Sequence, residues 1–176
     1  GIASGNITYN RDLATTNWYL VSSPVVGQTY NDAYITANAI AEGAATNRGI
    51  ASYETSDDTW DYMLAGSSNT FSTGTGYSVK KSSAGNVSFT GTLNTDNDGV
   101  DVVLTNTGNR FNLLGNPYVS HINSATFLDN ETTISDSKTL WVWNQATGAY
   151  DVKVFPDAPY IAPAQGFFVK ANAAGG

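Results

Sequence analysis

Residues 110–119 read "RFNLLGNPYV", and residues 17–26 read "NWYLVSSPVV". Each runs aromatic, one residue, Leu, an aliphatic, two small or polar residues, Pro, one residue, Val. Around these stretches the chain repeats itself further. Pro24 and Pro117 lie 93 positions apart. Gly76 and Gly166, which open "GYSVK" and "GFFVK", lie 90 apart. Three kinds of landmark therefore recur in one order at nearly one offset, which is the mark of an internal repeat. The sequence predicts one domain over 1–176, built from halves of about 1–90 and 91–176 packed around a pseudo-twofold axis.

Each half reads as β. "NWYLVSSP" and "RFNLLGNP" are strands ended by Pro, which cannot donate to a ladder. "NVSFTGTL" places Val87, Phe89 and Leu93 on one face, and "VDVVLT" does the same with Val100, Val102 and Leu104. The "NTDNDG" between them reads as the turn of a hairpin. "KTLWVWNQATGAYDVKVF" reads as another hairpin, turning at Asn144–Gly148. Helix signals are short: "NDAYITANAIAEG" has a cap and a Gly43 stop, and "INSATFLDN" is a one-turn counterpart. The expected fold class is all-β: an antiparallel, jelly-roll-like sandwich with one or two short helices.

Composition bounds the function. A chain of 176 residues buries roughly 70% of its unfolded surface, and 41% hydrophobic residues supply the core. Cysteine is absent, which removes disulfides and thiolate chemistry. No apolar run approaches the ~20 residues of a membrane span. A net charge of −7 argues against nucleic acid, whose phosphates call for clustered Lys and Arg. Nucleophilic catalysis has one His to draw on, His121, in a loop. Glu42, Glu54 and Glu131 fall in loops or helix ends, so a glycosidase pair is not evident, and the expectation is a protein that is not an enzyme.

Two groups of residues invite ligands. In "NTDNDGVD", Asp96, Asp98 and Asp101 give alternating oxygen donors around a Gly, as a calcium loop would, but the closing Glu is missing and a plain turn has the same letters. "TSDDTWD" at 55–61 is a weaker instance. No cofactor is expected beyond a structural calcium there. The second group is aromatic. Four Trp and ten Tyr offer flat rings for sugar stacking, with amides and carboxylates for the hydroxyls. Trp141 and Trp143, two apart on a strand, share a face. If the hairpin pairs across Asn144–Gly148, that face also carries Asp151 and Lys153, while Leu140, Val142, Val152 and Val154 take the core side. Trp60, Tyr62 and Tyr118 sit beside polar loops and complete the candidate binding set. Trp18 matches Phe111 and reads as core, and Trp60 matches Trp143. Lys80, Lys81, Arg48, Arg110 or Lys153 would have to gather for an anionic chain.

The chain also resembles a known family. "LLGNPY" at 113–118 and "IAPAQGFFV" at 161–169, with the repeat around them, are similar to a duplicated β-sandwich region near the C-terminal end of large exported proteins of Bacteroidota, particularly marine flavobacteria. The resemblance implies export by type IX secretion, an extracellular or cell-surface home and a polysaccharide context, with no shared active site. The functional expectation is a non-catalytic polysaccharide-binding module, monomeric, attached to other modules of its parent chain. A structural spacer or adhesion domain is the alternative.

Overall fold

A computed structural model describes residues 5–95, 99–135, 137–157 and 160–172. The first half contains β1 (Asn6–Leu13), β2 (Trp18–Ser22), β3 (Val25–Val26), β4 (Thr29–Tyr30), α1 (Asp32–Ala37), β5 (Asn47–Glu54), β6 (Thr59–Leu64), β7 (Asn69–Thr70), β8 (Gly76–Lys80) and β9 (Gly85–Leu93). The second contains β10 (Phe111–Gly115), β11 (Ile122–Asn123), α2 (Ser124–Asn130), β12 (Thr139–Asn144), β13 (Ala149–Val154), β14 (Tyr160–Ile161) and β15 (Gly166–Lys170). The strand pairings are antiparallel and the architecture is all-β and sandwich-like.

One four-stranded sheet runs β2-β8-β5-β6 and the other β10-β15-β12-β13. Their registers correspond. Ile50 faces Val79 in the first, and Leu140 faces Val169 in the second. Tyr53 faces Trp60, and Trp143 faces Tyr150. The small ladders β4-β7 and β11-β14 follow the same pattern, each leading into its half's helix or returning from it. Side chains alternate across a strand, so each sheet has two dressed faces. Tyr77, Val79 and Val21 point into one core, with Phe71 and Phe89. Phe167, Val169 and Leu114 point into a second core, with Leu128 and Ile161. The opposite faces of both sheets meet in a third cluster, centred on Leu20, Leu113 and Phe168.

The halves interlock reciprocally. The Ser22 N–H donates to Ala164 O at 2.9 Å, and the Gly115 N–H donates to Gly74 O at 2.8 Å. Val21 bridges Gln165, and Leu114 bridges Thr75. Pro24 and Pro117 follow the equivalent strands β2 and β10. Backbones come so close here that only glycine fits. A Cβ on Gly76 would sit 2.5 Å from Leu114 O, and one on Gly115 would sit 2.1 Å from Ser22 Cβ. Arg11, on β1, donates from its guanidinium to the Ala164 carbonyl and so ties the halves again.

Several sequence expectations need correction. β9 does not form a hairpin with residues 100–105. It lies between β1 and β3 in a three-stranded sheet of order β1-β9-β3. Alternation reveals which face a strand buries but not which strand it pairs with. Among the described residues, 100–105 pair with no strand, though Val100 and Val102 are half-buried and Leu104 is buried, between exposed neighbours. The first helix stops at Ala37, well before Gly43; Ala39 takes a left-handed φ of 49° and Ile40 turns away to bridge Lys81. Its N-cap is Asn31, whose Oδ1 accepts from the Tyr34 N–H at 3.0 Å. The second helix is longer than one turn, spanning Ser124–Asn130. β1 was not evident in the sequence, because Arg11 interrupts its apolar face.

Candidate functional site

The third cluster contains the aromatic side chains that the sequence pointed to, but arranged differently. The β12–β13 hairpin pairs Asn144 with Ala149, leaving a four-residue loop. Asn144 Oδ1 accepts from the Ala146 N–H at 3.0 Å, and the Gly148 N–H donates to Asn144 O at 2.9 Å, with Gly148 at φ 64°. This loop is one residue off the register expected from sequence, and a one-residue slip flips every partner to the other face. Trp141 therefore faces Val152 and Trp143 faces Tyr150, while Asp151 and Lys153 lie opposite Val142 and Leu140. Asp151 and Lys153 are thus excluded from the Trp face. They pair with each other at 3.9 Å, and Asp151 also accepts from Asn144 Nδ2. Val152 and Val154 are exposed rather than core. The matching of Trp60 with Trp143 is also corrected: Trp60 corresponds to Tyr150, Trp143 to Tyr53 and Trp141 to Ala51.

Between the two sheets lies a cavity of about 220 Å³, walled by Trp18, Leu20, Trp60, Tyr62, Ser78, Trp143 and Tyr150. The rings, half-buried except for the more exposed Tyr150, pack edge to face. Trp18 meets Tyr62 at 5.9 Å between centroids, Trp143 meets Tyr150 at 5.0 Å, and Tyr53 meets Trp60 at 5.2 Å. Such contacts hold rings at fixed angles and contribute about 0.5–1.5 kcal/mol each beyond buried area. Trp143 is held further: its indole N–H donates to Gln145 Oε1 at 2.7 Å, and Gln145 Nε2 donates to Thr15 Oγ1 at 3.4 Å. Burial raises the Tyr150 phenol above its ordinary pKa, so it stays a neutral hydroxyl at the wall. Burial also raises Tyr53, with its hydrogen bond to Asp58 acting the same way.

The cavity exists because two side chains are small. Ser78 stands where the second half has Phe168, and Ala51 where it has Trp141. In the second half those two large rings close the equivalent space; Trp141 packs on Phe111 at 5.0 Å and Phe168 on Tyr150 at 5.8 Å. Beside the cavity, sharing Trp18 and Tyr62, lies a shelf of about 340 Å³ that adds Arg48, Glu42, Asn47 and Lys80. Arg48 lies 4.0 Å from both Asp32 and Glu42, and Lys80 Nζ stands 5.8 Å from the Trp18 ring centre.

The structure thus brings Trp60, Tyr62 and Trp143 together and adds Trp18, Tyr150 and Ser78. Trp141 lies on the same face but outside the cavity wall. Tyr118 is elsewhere, at a larger cavity beside α2. Lys81 cannot serve a ligand: it is buried, and its ammonium donates to the carbonyls of Asn38 and Asn86. Asp96 and Asp98 lie outside the described residues, and Asp101 is exposed. Among the described residues no group of three or more His, Cys, Asp or Glu gathers as a metal would need. Tyr150 was readable in principle, because a four-residue turn puts it opposite Trp143.

These features define a sandwich-like all-β protein with an aromatic cavity between its sheets. The chain belongs to the DUF8693 family, a domain of unknown function, whose model matches residues 2–156. No curated protein and no solved structure matches it.

Proposed function

We propose that this protein is a non-catalytic carbohydrate-binding module that holds a polysaccharide by ring stacking. The observation that carries the reading is the cavity walled by Trp18, Trp60, Trp143, Tyr62 and Tyr150 and continued by a polar shelf. Ring faces fit the apolar faces of sugars, while Asn47, Arg48 and Ser78 offer hydrogen bonds to hydroxyls. Only Arg48 and Lys80 bring positive charge to the shelf, and Arg48 sits near Asp32 and Glu42. A neutral glycan therefore fits better than an anionic one. The repeat is best read as a duplication within one domain, in which one copy keeps the cavity open. The resemblance to exported Bacteroidota proteins supports an extracellular setting on a parent chain with further modules. There the module would raise the local concentration of polysaccharide at an attached enzyme.

A spacer or adhesion role is the second reading. It is favoured by the way Tyr53 and Trp60 of one sheet pack against Phe168 of the other, as a structural seam would. Affinity electrophoresis of the whole chain in gels containing neutral and acidic polysaccharides, with and without calcium, separates the two. The binding reading expects retardation by at least one neutral polymer, lost in Trp60→Ala and Trp143→Ala. Retardation by none of them would leave the spacer reading.

A further inference from the structure

Strand β13 is the outermost of its sheet: among the described residues it has a neighbour, β12, on one side only. Antiparallel ladders alternate, so every second residue turns its backbone N–H and C=O to the partner strand and the next turns them away. The Phe155 N–H donates to Lys138 O at 3.0 Å, which fixes the phase. Ala149, Asp151 and Lys153 therefore bond to β12, opposite Asn144, Val142 and Leu140. Tyr150, Val152 and Val154 turn their backbone groups to the free edge. Their side chains share one sheet face and are 41%, 55% and 49% exposed. A bare apolar edge of this kind is a template for another strand.

The order of charges says which strand. The stretch is bounded by Gly148, at φ 64°, and by Pro156, which has no N–H to give a ladder. Its midpoint is Val152. A second copy laid antiparallel about a twofold axis through Val152 overlaps along the whole stretch. Val152 then meets Val152, and Tyr150 meets Val154 of the second copy, each pair exchanging the backbone bonds that the edge leaves free. Asp151 lies opposite Lys153 of the second copy, and Lys153 opposite its Asp151, in the pairs whose side chains come closest. Moving the axis one residue either way sets Asp151 against Asp151 or Lys153 against Lys153, and like charges directly opposite are destabilising. Overlap and charge thus choose one register. A Lys on an edge strand ordinarily deters pairing; here an Asp two residues away answers it. The corresponding edge of the first half, β6, lacks this pattern. Asp61 and Met63 stand there in the places of Asp151 and Lys153, and Met63 is buried in the first core.

We propose that this chain forms a symmetric dimer through β13, in place of the monomer expected from the sequence. The two sheets β10-β15-β12-β13 join edge to edge into one continuous sheet. The contact is the same patch on both copies, so it closes on itself and builds no larger assembly.

The test is sedimentation equilibrium of the whole chain at rising concentration, with backbone hydrogen exchange measured on the same samples. The proposal expects a monomer–dimer equilibrium with no larger species. Exchange should slow at Tyr150, Val152 and Val154 as the dimer fills, and should not change along β6. Val152→Pro removes a free-edge N–H without touching the ladder to β12, and should weaken the dimer at least tenfold. Asp151→Lys and Lys153→Asp each bring like charges together and should each weaken it at least tenfold. Mixed with each other, these two variants should recover most of the lost affinity, because every Lys then faces an Asp. If either charge variant does not fold, Val152→Pro and the exchange map still decide. A monomer at every concentration up to roughly 1 mM would overturn the proposal. So would a dimer undiminished by Val152→Pro, or folded charge variants that do not recover on mixing.

Discussion

The two halves of this molecule share one frame and differ in what fills it. In the first half the outer core is complete, closed by β9, while the inter-sheet face is open because Ala51 and Ser78 are small. In the second half the inter-sheet face is closed by Trp141 and Phe168, while the outer core is open beside residues 99–106. Among the described residues each half therefore has one filled place and one cavity, and the two cavities are not equivalent. Reciprocal contacts at Ser22, Gly74, Gly115 and Ala164 fix the frame, and the fillings can vary on it.

The comparison can be broken most forcefully at the filled core. Phe89→Ala should destabilise the chain by about 3–5 kcal/mol, because a fully buried ring leaves a void. Val102→Ala, beside a cavity that is already open, should cost about 1 kcal/mol or less. Equal losses in urea unfolding would mean that the second core is as tightly closed as the first. Next comes the seam between the halves. Gly115→Ala should cost about 1–3 kcal/mol, because its Cβ would overlap Ser22. Ser22 occupies the equivalent place, so combining Gly115→Ser with Ser22→Gly should recover at least half of the loss of Gly115→Ser alone. Failure to recover would argue against an approximate dyad.

The site can be sharpened by making the first half imitate the second. Ser78→Phe puts a ring where Phe168 already stands in the other sheet. It should lower affinity for any retained polysaccharide at least tenfold while shifting the thermal midpoint little. A large loss of stability instead would mean that the cavity is too small to be filled. The smallest effect is on pH. Burial raises the phenol of Tyr30 from 10.0 to about 12, with Tyr77 and Asp61 adding to it. A raised pKa means that the fold favours the neutral phenol. That stabilisation is complete below pH 10 and is lost as pH rises through about 12. Tyr150 shifts in the same direction through burial, so these phenols should leave polysaccharide binding flat around neutral pH and lower stability as pH rises into the alkaline range. Titration of binding and of unfolding midpoints checks both.

Much of the frame could be read in the residues. Gly76 and Gly166 sit where backbones of the two halves nearly touch, and Pro24 and Pro117 follow the equivalent strands that meet them. Trp60, Tyr62 and Trp143 were picked out by their rings. What was not legible depends on pairing. The position of Asp151 and Lys153 turned on a single residue of loop length, set by Asn144 hydrogen bonds that composition does not reveal. β9 looked as though it would pair with 100–105, because adjacency in sequence favours hairpins; in the fold it pairs across the whole first half with β1. The importance of Ser78 and Ala51 appears only when the two sheets are superposed, since small residues attract no notice in a strand.

The most direct measurement follows the four indole N–H resonances by NMR while a retained oligosaccharide is added to the whole chain. The account predicts that Trp18, Trp60 and Trp143 shift and saturate together, that Trp141 stays in place, and that Ser78→Phe abolishes the shifts. Shifts at Trp141 alone, or saturable binding with all three cavity indoles unmoved, would contradict it.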